Sequence, residues 1–171
     1  MDYTLGMSSP AFAVTKDPLD INLLVHVVTA HLPTTTGAGV GAINSFLGIV
    51  RGENMGRRVL RLEYEAYEPL ALRSFRQLEQ EVSVRWPLVQ LAIHHRLGRL
   101  EVGEISVAIA AAASHRTETF SVCRYAIERV KQIAPIWKHE FFNGGDVWIE
   151  GAIADPDDEA ARQRAYKLAC T

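Results

Sequence analysis

Lysine is scarce in this chain: Lys16, Lys131, Lys138 and Lys167 stand against fourteen arginines. Two of the four fall in one segment, Val130-Lys131-Gln132-Ile133-Ala134-Pro135-Ile136-Trp137-Lys138-His139-Glu140. Because arginine carries most of the cationic surface, these lysines invite a chemical role. A lysine can lose its proton when desolvated and act as base or nucleophile, which arginine cannot do. Pro135 breaks a helix between them. If the chain folds back there, the two ammonium groups converge and each depresses the other's pKa.

Other candidates surround an anion more readily than they perform chemistry. Arg51 ends an apolar strand and precedes Gly52-Glu53-Asn54-Met55-Gly56, a turn or mobile loop, and such positions suit binding groups. Ser114-His115-Arg116 follows the most apolar stretch and opens a helix, where free amides and the helix dipole attract anions. The simpler reading there is a cap followed by two solvated residues. Trp137, Phe141 and Phe142 read as core rather than as a substrate platform. His94 and His95 are adjacent on a strand and face opposite sides, which argues against a joint metal site. Cys123 falls on a buried helical stripe and Cys170 is next to the end of the chain, so neither reads as an activated thiolate.

A chain of 171 residues, 48% hydrophobic and 22% charged, is one globular domain in composition. Its formal net charge of −2 argues against a general nucleic-acid binder, while a local cationic pocket would still favour a phosphorylated metabolite. Two cysteines without metal or disulfide spacing point to a reducing cytosol. No apolar run reaches the roughly 20 residues of a membrane helix. The patterning calls for no metal and no cofactor, and lacks the glycine-rich phosphate loops of nucleotide sites.

These groups need elements to hold them. Residues 1–16 are expected to be a flexible N-terminal segment, 17–155 the domain, and 156–171 a polar C-terminal helix or tail. Asp17-Pro18 predicts a helix to about His31, stopped by Pro33 and followed by a loop at Thr34 to Gly37. Strands are expected over 40–50 and 58–67, with Leu60, Leu62, Tyr64 and Ala66 on one face of the second. A helix from Glu68-Pro69 ends near Trp86-Pro87. Strands over 89–97 and 104–113 follow, the second apolar enough to be central. A helix then runs to about Ile133, with Phe120, Cys123, Ile127 and Val130 as its core stripe and Lys131 at the stripe's border, partly desolvated. Two short strands, 137–142 and 146–153, flank the hairpin signal Asn143-Gly144-Gly145. Paired strands between helices predict an α+β fold with a mostly antiparallel sheet and flanking helices.

Several segments carry a family resemblance in order along the chain: Gly41-Ala42-Ile43, Gly48-Ile49-Val50-Arg51, Leu62-Glu63-Tyr64-Glu65-Ala66-Tyr67, Arg85-Trp86-Pro87, His95-Arg96-Leu97-Gly98, Ser114-His115-Arg116 and the Lys131 to Glu140 run. Over about residues 38 to 151 the chain resembles the large, catalytic subunit of molybdopterin synthase. The resemblance implies an α/β hammerhead fold and a sulfurtransferase of molybdenum cofactor biosynthesis. Its substrate would be cyclic pyranopterin monophosphate. The sulfur donor would be the thiocarboxylated C-terminal Gly-Gly tail of a small ubiquitin-like subunit. The large subunit would form a homodimer within a cytoplasmic heterotetramer.

On that resemblance Lys131 and Lys138 are the catalytic residues, with Lys131 touching the partner's terminal glycine. Arg51, His115 and Arg116 hold phosphate and pterin, and His139 and Glu140 line the pocket. Two positions depart from the pattern. Ile49 stands where the family often has a lysine, and Gly151-Ala152 where the resemblance implies a basic residue reaching across the dimer; Arg57 or Arg58 could supply the missing charge. The alternative reading is a non-catalytic paralogue that binds a ubiquitin-like tail or a pterin. From the residues alone, a lysine Schiff-base enzyme acting on a phosphorylated carbonyl compound also stays open.

Overall fold

The structure is a computed structural model and describes residues 10–30, 39–149, 151 and 154–170. In chain order its elements are β1 (Phe12–Thr15), α1 (Ile21–Ala30), β2 (Ala42–Ile49), β3 (Glu53–Asn54), β4 (Arg57–Ala66), α2 (Glu68–Arg85), β5 (Gln90–Arg96), β6 (Gly98–Glu101), β7 (Ile105–Ala113), α3 (Arg116–Ile133), β8 (Ile136–Phe142), β9 (Gly145–Ile149) and α4 (Glu159–Ala169). The predicted helix end at His31, the Pro33 stop, the Thr34 to Gly37 loop, Ala152 and the last strand's end at Ile153 lie outside the described residues.

The apolar composition of β7 follows from its place. It is central in a four-stranded sheet of order β1-β5-β7-β2, pairing antiparallel with β5 on one side and β2 on the other. Val107, Ile109 and Ala111 pack toward α2 and α3, joining Phe75, Leu78, Val122, Tyr125 and Ile127. The alternate Ala108, Ala110 and Ala112 meet Leu24, Val27 and Val28 of α1 on the opposite face. A strand covered on both faces cannot alternate apolar with polar, and the small alanines let α1 lie close.

A second sheet of order β3-β4-β8-β9, with β6 also paired to β4, stands beside the first. Its own core is Val50, Val59, Leu62 and Leu100. β8 and β9 meet at the predicted hairpin, Phe142 opposite Gly145. The fold is thus α+β and mostly antiparallel.

Several expectations are corrected. Phe12–Thr15, read as part of a flexible segment, form a strand parallel to β5, with Val14 opposite His95; four residues without a turn signal give little to read. The first helix starts at Ile21, because Asp20 rather than Asp17 accepts from a helical amide, Asn22 N–H at 2.9 Å. β3 and β6 are too short to show a period. In β4 the even alternation fails: Val59 pairs with Phe142 and Arg61 with Phe141, leaving Leu60 as an extra, bulged residue. Val59 and Leu62 are therefore buried while Leu60 is exposed. Phe120, placed on the core stripe of α3, is 59% exposed. Trp137, read as core, is 42% exposed on the outer face of β8, and Phe141 there lies under the Arg61 guanidinium at 3.7 Å.

Three helices meet on one buried carboxylate. Arg129 of α3 is fully buried; its Nε donates to Glu81 Oε2 of α2 at 2.8 Å and its Nη2 to the Pro156 carbonyl at 3.1 Å. The Tyr125 hydroxyl donates to the same carboxylate, and Arg162 of α4 lies 3.5 Å from it. Tyr166 of α4 stacks on Tyr125 with ring centroids 4.5 Å apart. Burial, then the Glu81 charge, pushes the Tyr125 hydroxyl well above its ordinary pKa, so it stays a donor. Glu81→Leu would leave the buried Arg129 without a counter-charge and should cost about 3–5 kcal/mol in urea unfolding. Adding Arg129→Met should recover most of that loss; a double variant as unstable as the single one contradicts this account.

Candidate active site

The two sheets and the C-terminal half of α3 enclose a cleft of about 420 Å³. Each of its charged groups is aimed there by a local cause. β8 alternates, so Lys138 and Glu140 point into the cleft while Trp137, His139 and Phe141 point out. α3 ends when the Ala134 amide donates to the Val130 carbonyl and the chain turns into β8, bringing Lys131 and Lys138 to one cavity. Arg51 follows Val50, whose amide and carbonyl are held by Glu104 and Gly103 at 2.9 Å each. Asn54, on the β3–β4 hairpin, donates from Nδ2 to both oxygens of Glu140, at 3.1 and 2.9 Å.

Arg51, Lys131, Lys138 and Glu140 are therefore brought together. Glu140 is only 2% exposed. Burial lowers the Lys138 pKa below the usual lysine range; Arg51 and Lys131 push the same way and Glu140 opposes them. The desolvation expected at Lys131 falls instead on Lys138, because Lys131 is exposed at the mouth of the cleft. Lys131 also lines a neighbouring groove with Asn44, Phe46, Phe120, Cys123 and Ile127, so the two cavities meet at this side chain.

The remaining candidates lie elsewhere. His139 is on the outer face of β8, its Nε2 2.5 Å from Asp146 Oδ2 and its ring stacked on Trp148 at 4.3 Å. His115 and Arg116 are exposed at the start of α3, Arg116 about 22 Å from Lys131 along the axis at 1.5 Å per residue. Arg57 lies over the Phe142 ring at 4.4 Å, and neither it nor Arg58 lines the cleft, so the charge absent at Ile49 is not made up by them. Ile49 itself is on the cleft wall. Gly151 is there too, and a side chain at 151 would put Cβ 2.6 Å from the Ile136 carbonyl oxygen, so no basic residue fits without moving the backbone. Cys123 is buried, its thiol donating to the Asn44 carbonyl and pushed up to about 12 by burial, which keeps it protonated. Among the described residues no group of three or more His, Cys, Asp or Glu is placed to hold a metal ion, and no helix is long and apolar enough to cross a membrane.

Asn54, Tyr64 and Ser106 line the same cleft without having been proposed as site residues, and so does His95, weighed from the sequence only as a metal ligand. Tyr64, His95 and Ser106 carry a signal in retrospect: each is polar on a strand whose neighbours are packed in a core. Asn54 carries none.

The family model of the MoaE protein matches residues 14–133. The molybdopterin synthase catalytic subunit of Halalkalibacterium halodurans is 42% identical over 144 residues, covering 84% of this chain and 87% of that protein. The molybdopterin synthase structure from Staphylococcus aureus superposes with a TM-score of 0.75 at 33% identity, covering 82% of this chain and 98% of that one. A chain of the complex of subunits 1 and 2 of the molybdopterin-converting factor from Helicobacter pylori shares the fold, with a TM-score of 0.65 at 22% identity, covering 87% and 98%. The cleft thus sits in a fold shared with molybdopterin synthases, and the chain belongs to the MoaE protein family.

With four lysines in the chain, nitrogen NMR of lysine-labelled protein can follow Lys138 directly. Its ammonium should titrate below the ordinary lysine range. Glu140→Gln removes the charge that stabilises the ammonium and should lower the midpoint further; Lys131→Ala removes a repelling cation and should raise it. Shifts of the opposite sign would overturn this electrostatic picture.

Proposed function

We propose that this protein is the catalytic subunit of a molybdopterin synthase. In this reading it transfers sulfur from the thiocarboxylated C-terminus of a small ubiquitin-like subunit to cyclic pyranopterin monophosphate, forming the dithiolene. The observation that carries the reading is the convergence of Arg51, Lys131 and Lys138 on one cleft with the buried Glu140. A phosphorylated substrate needs fixed cations, and sulfur transfer needs a group that can give and take a proton. Arg51 offers a planar fork to phosphate oxygens. Lys138, desolvated and with a lowered pKa, is suited to give and take a proton. Lys131, where the cleft joins the neighbouring groove, is placed to meet the glycine end of an entering tail and to polarise its carbonyl. With Cys123 buried and protonated, sulfur is best supplied by the partner.

Glu140 acts by holding Lys138, and Asn54 by holding Glu140. His115 and Arg116 do not reach this cleft within their own chain, so their proposed part in holding phosphate falls to the cleft of a second copy in a homodimer. His139 is proposed to order the outer face of β8 rather than touch substrate. The assembly would be a cytoplasmic heterotetramer.

The test is reconstitution of this protein with a thiocarboxylated small subunit and cyclic pyranopterin monophosphate, with the dithiolene product detected by mass spectrometry. Product should form, and Lys131→Ala should reduce its rate by at least about 100-fold while fold and small-subunit binding persist. A folded wild-type protein that binds the small subunit yet yields no product supports the non-catalytic paralogue instead. Near-normal activity of Lys131→Ala would refute the role given to that residue.

A further inference from the structure

Besides its cations, the cleft has a set of neutral polar groups, His95 and Ser106 from the four-stranded sheet and Tyr64 from β4. His95 of β5 pairs with Val107 of β7, and Val107 pairs with Gly48 of β2. Paired residues in antiparallel strands project to the same face, so this row runs imidazole, isopropyl, then nothing. A Cβ at Gly48 would sit 2.6 Å from Val107 Cγ1. The space over the glycine is thus filled by the Val107 methyl, which packs across β2 there. Ser106 next to it donates its hydroxyl to the Gly48 carbonyl at 3.1 Å and also interacts with the Tyr64 hydroxyl. The Tyr64 ring meets the imidazole edge-on, with centroids 5.1 Å apart, and holds its plane.

The protonation of His95 follows from its partners. Nδ1 lies 2.9 Å from the Arg96 carbonyl oxygen. A carbonyl can only accept, so Nδ1 carries the hydrogen. Burial holds the imidazole pKa down to about 4, with the Arg96 bond opposing, so the ring is neutral at physiological pH. Nε2 is then a bare lone pair, and it has no protein partner among the described residues. It opens on the cleft, where a donor on a bound molecule can reach it.

We propose that His95 is a specificity-determining residue of this cleft: its Nε2 accepts a hydrogen bond from an N–H or amino group on the nitrogen heterocycle of the substrate, while Arg51, Lys131 and Lys138 face the anionic end. The inference rests on the reaction proposed above and adds how the ring is told apart from other phosphorylated molecules. A pterin carries such donors at fixed positions in the plane of its ring, whereas inorganic phosphate, which meets only the cations, does not extend to this group.

The experiment compares wild type, His95→Phe and His95→Gln in the reconstituted assay, with inorganic phosphate as competitor. His95→Phe keeps a flat ring and loses the acceptor. It should raise KM for cyclic pyranopterin monophosphate about tenfold, the fold-change of one neutral hydrogen bond, with kcat and phosphate inhibition unchanged. His95→Gln places an amide oxygen near the Nε2 position and should restore KM. An unaltered KM in His95→Phe, or a parallel weakening of phosphate inhibition, would overturn the inference.

Histidine-labelled wild-type protein gives an independent check should His95→Phe fail to fold. The Nε2 resonance of His95 should be that of an unprotonated ring nitrogen and should shift when cyclic pyranopterin monophosphate is added. A protonated Nε2, or one indifferent to the substrate, refutes the proposal. A wild-type protein that makes no product sinks the reaction reading instead, and the response of this resonance still decides the role of His95.

Discussion

Glu81 is the point on which the helical half of the molecule is hung. A carboxylate taken out of water must be matched by donors, and it draws them from three helices: Arg129 and Tyr125 from α3, Arg162 from α4, with Glu81 itself on α2. Arg129 is likewise fully buried, so neither ion tolerates the loss of the other. The pair adds little net stability over well-packed apolar side chains, but it permits one arrangement of the helices and penalises the rest. That arrangement sets the last turns of α3, and Lys131 stands two residues beyond Arg129.

From there the cleft follows from strand alternation and proximity. β8 leaves α3 through Ala134 and Pro135 and turns Lys138 and Glu140 toward the side chains of α3. The two lysines then differ in character although they are alike in sequence. Lys138 is desolvated within the cleft, where Arg51, Lys131 and Glu140 act on its charge, whereas Lys131 keeps water at the mouth. One is suited to proton traffic and the other to meeting a group that arrives from outside. Asn54 holds Glu140 in place, so a short hairpin far away in sequence tunes the lysine.

Much of the framework was legible. The double-sided apolar run of β7, the helices over α2 and α3, and the hairpin after Phe142 all carry local periodic or turn signals strong enough to read. β1, β3 and β6 were not legible, since two to four residues cannot display a period and their pairing is decided by distant strands. The bulge at Leu60 and the exposure of Phe120 and Trp137 escaped for a related reason. Periodicity shows which residues share a face, but not whether anything covers it.

The site divides along the same line. By itself the sequence determined which residues could do chemistry: scarce lysines around a helix break, an arginine at a strand end, a cysteine on a buried stripe. It also determined the family, through ordered segments that no single motif would establish. Only the tertiary structure decided that Arg51 and Glu140 join the lysines, that His139 faces away, that His115 and Arg116 stand at the other end of α3, and that His95 presents a bare nitrogen to the cleft. The physical reason is that residue type and local period are properties of neighbours along the chain. Burial, charge coupling and tautomer are set by groups that meet only after folding, some of them more than eighty positions apart, as Asn54 and Glu140 are.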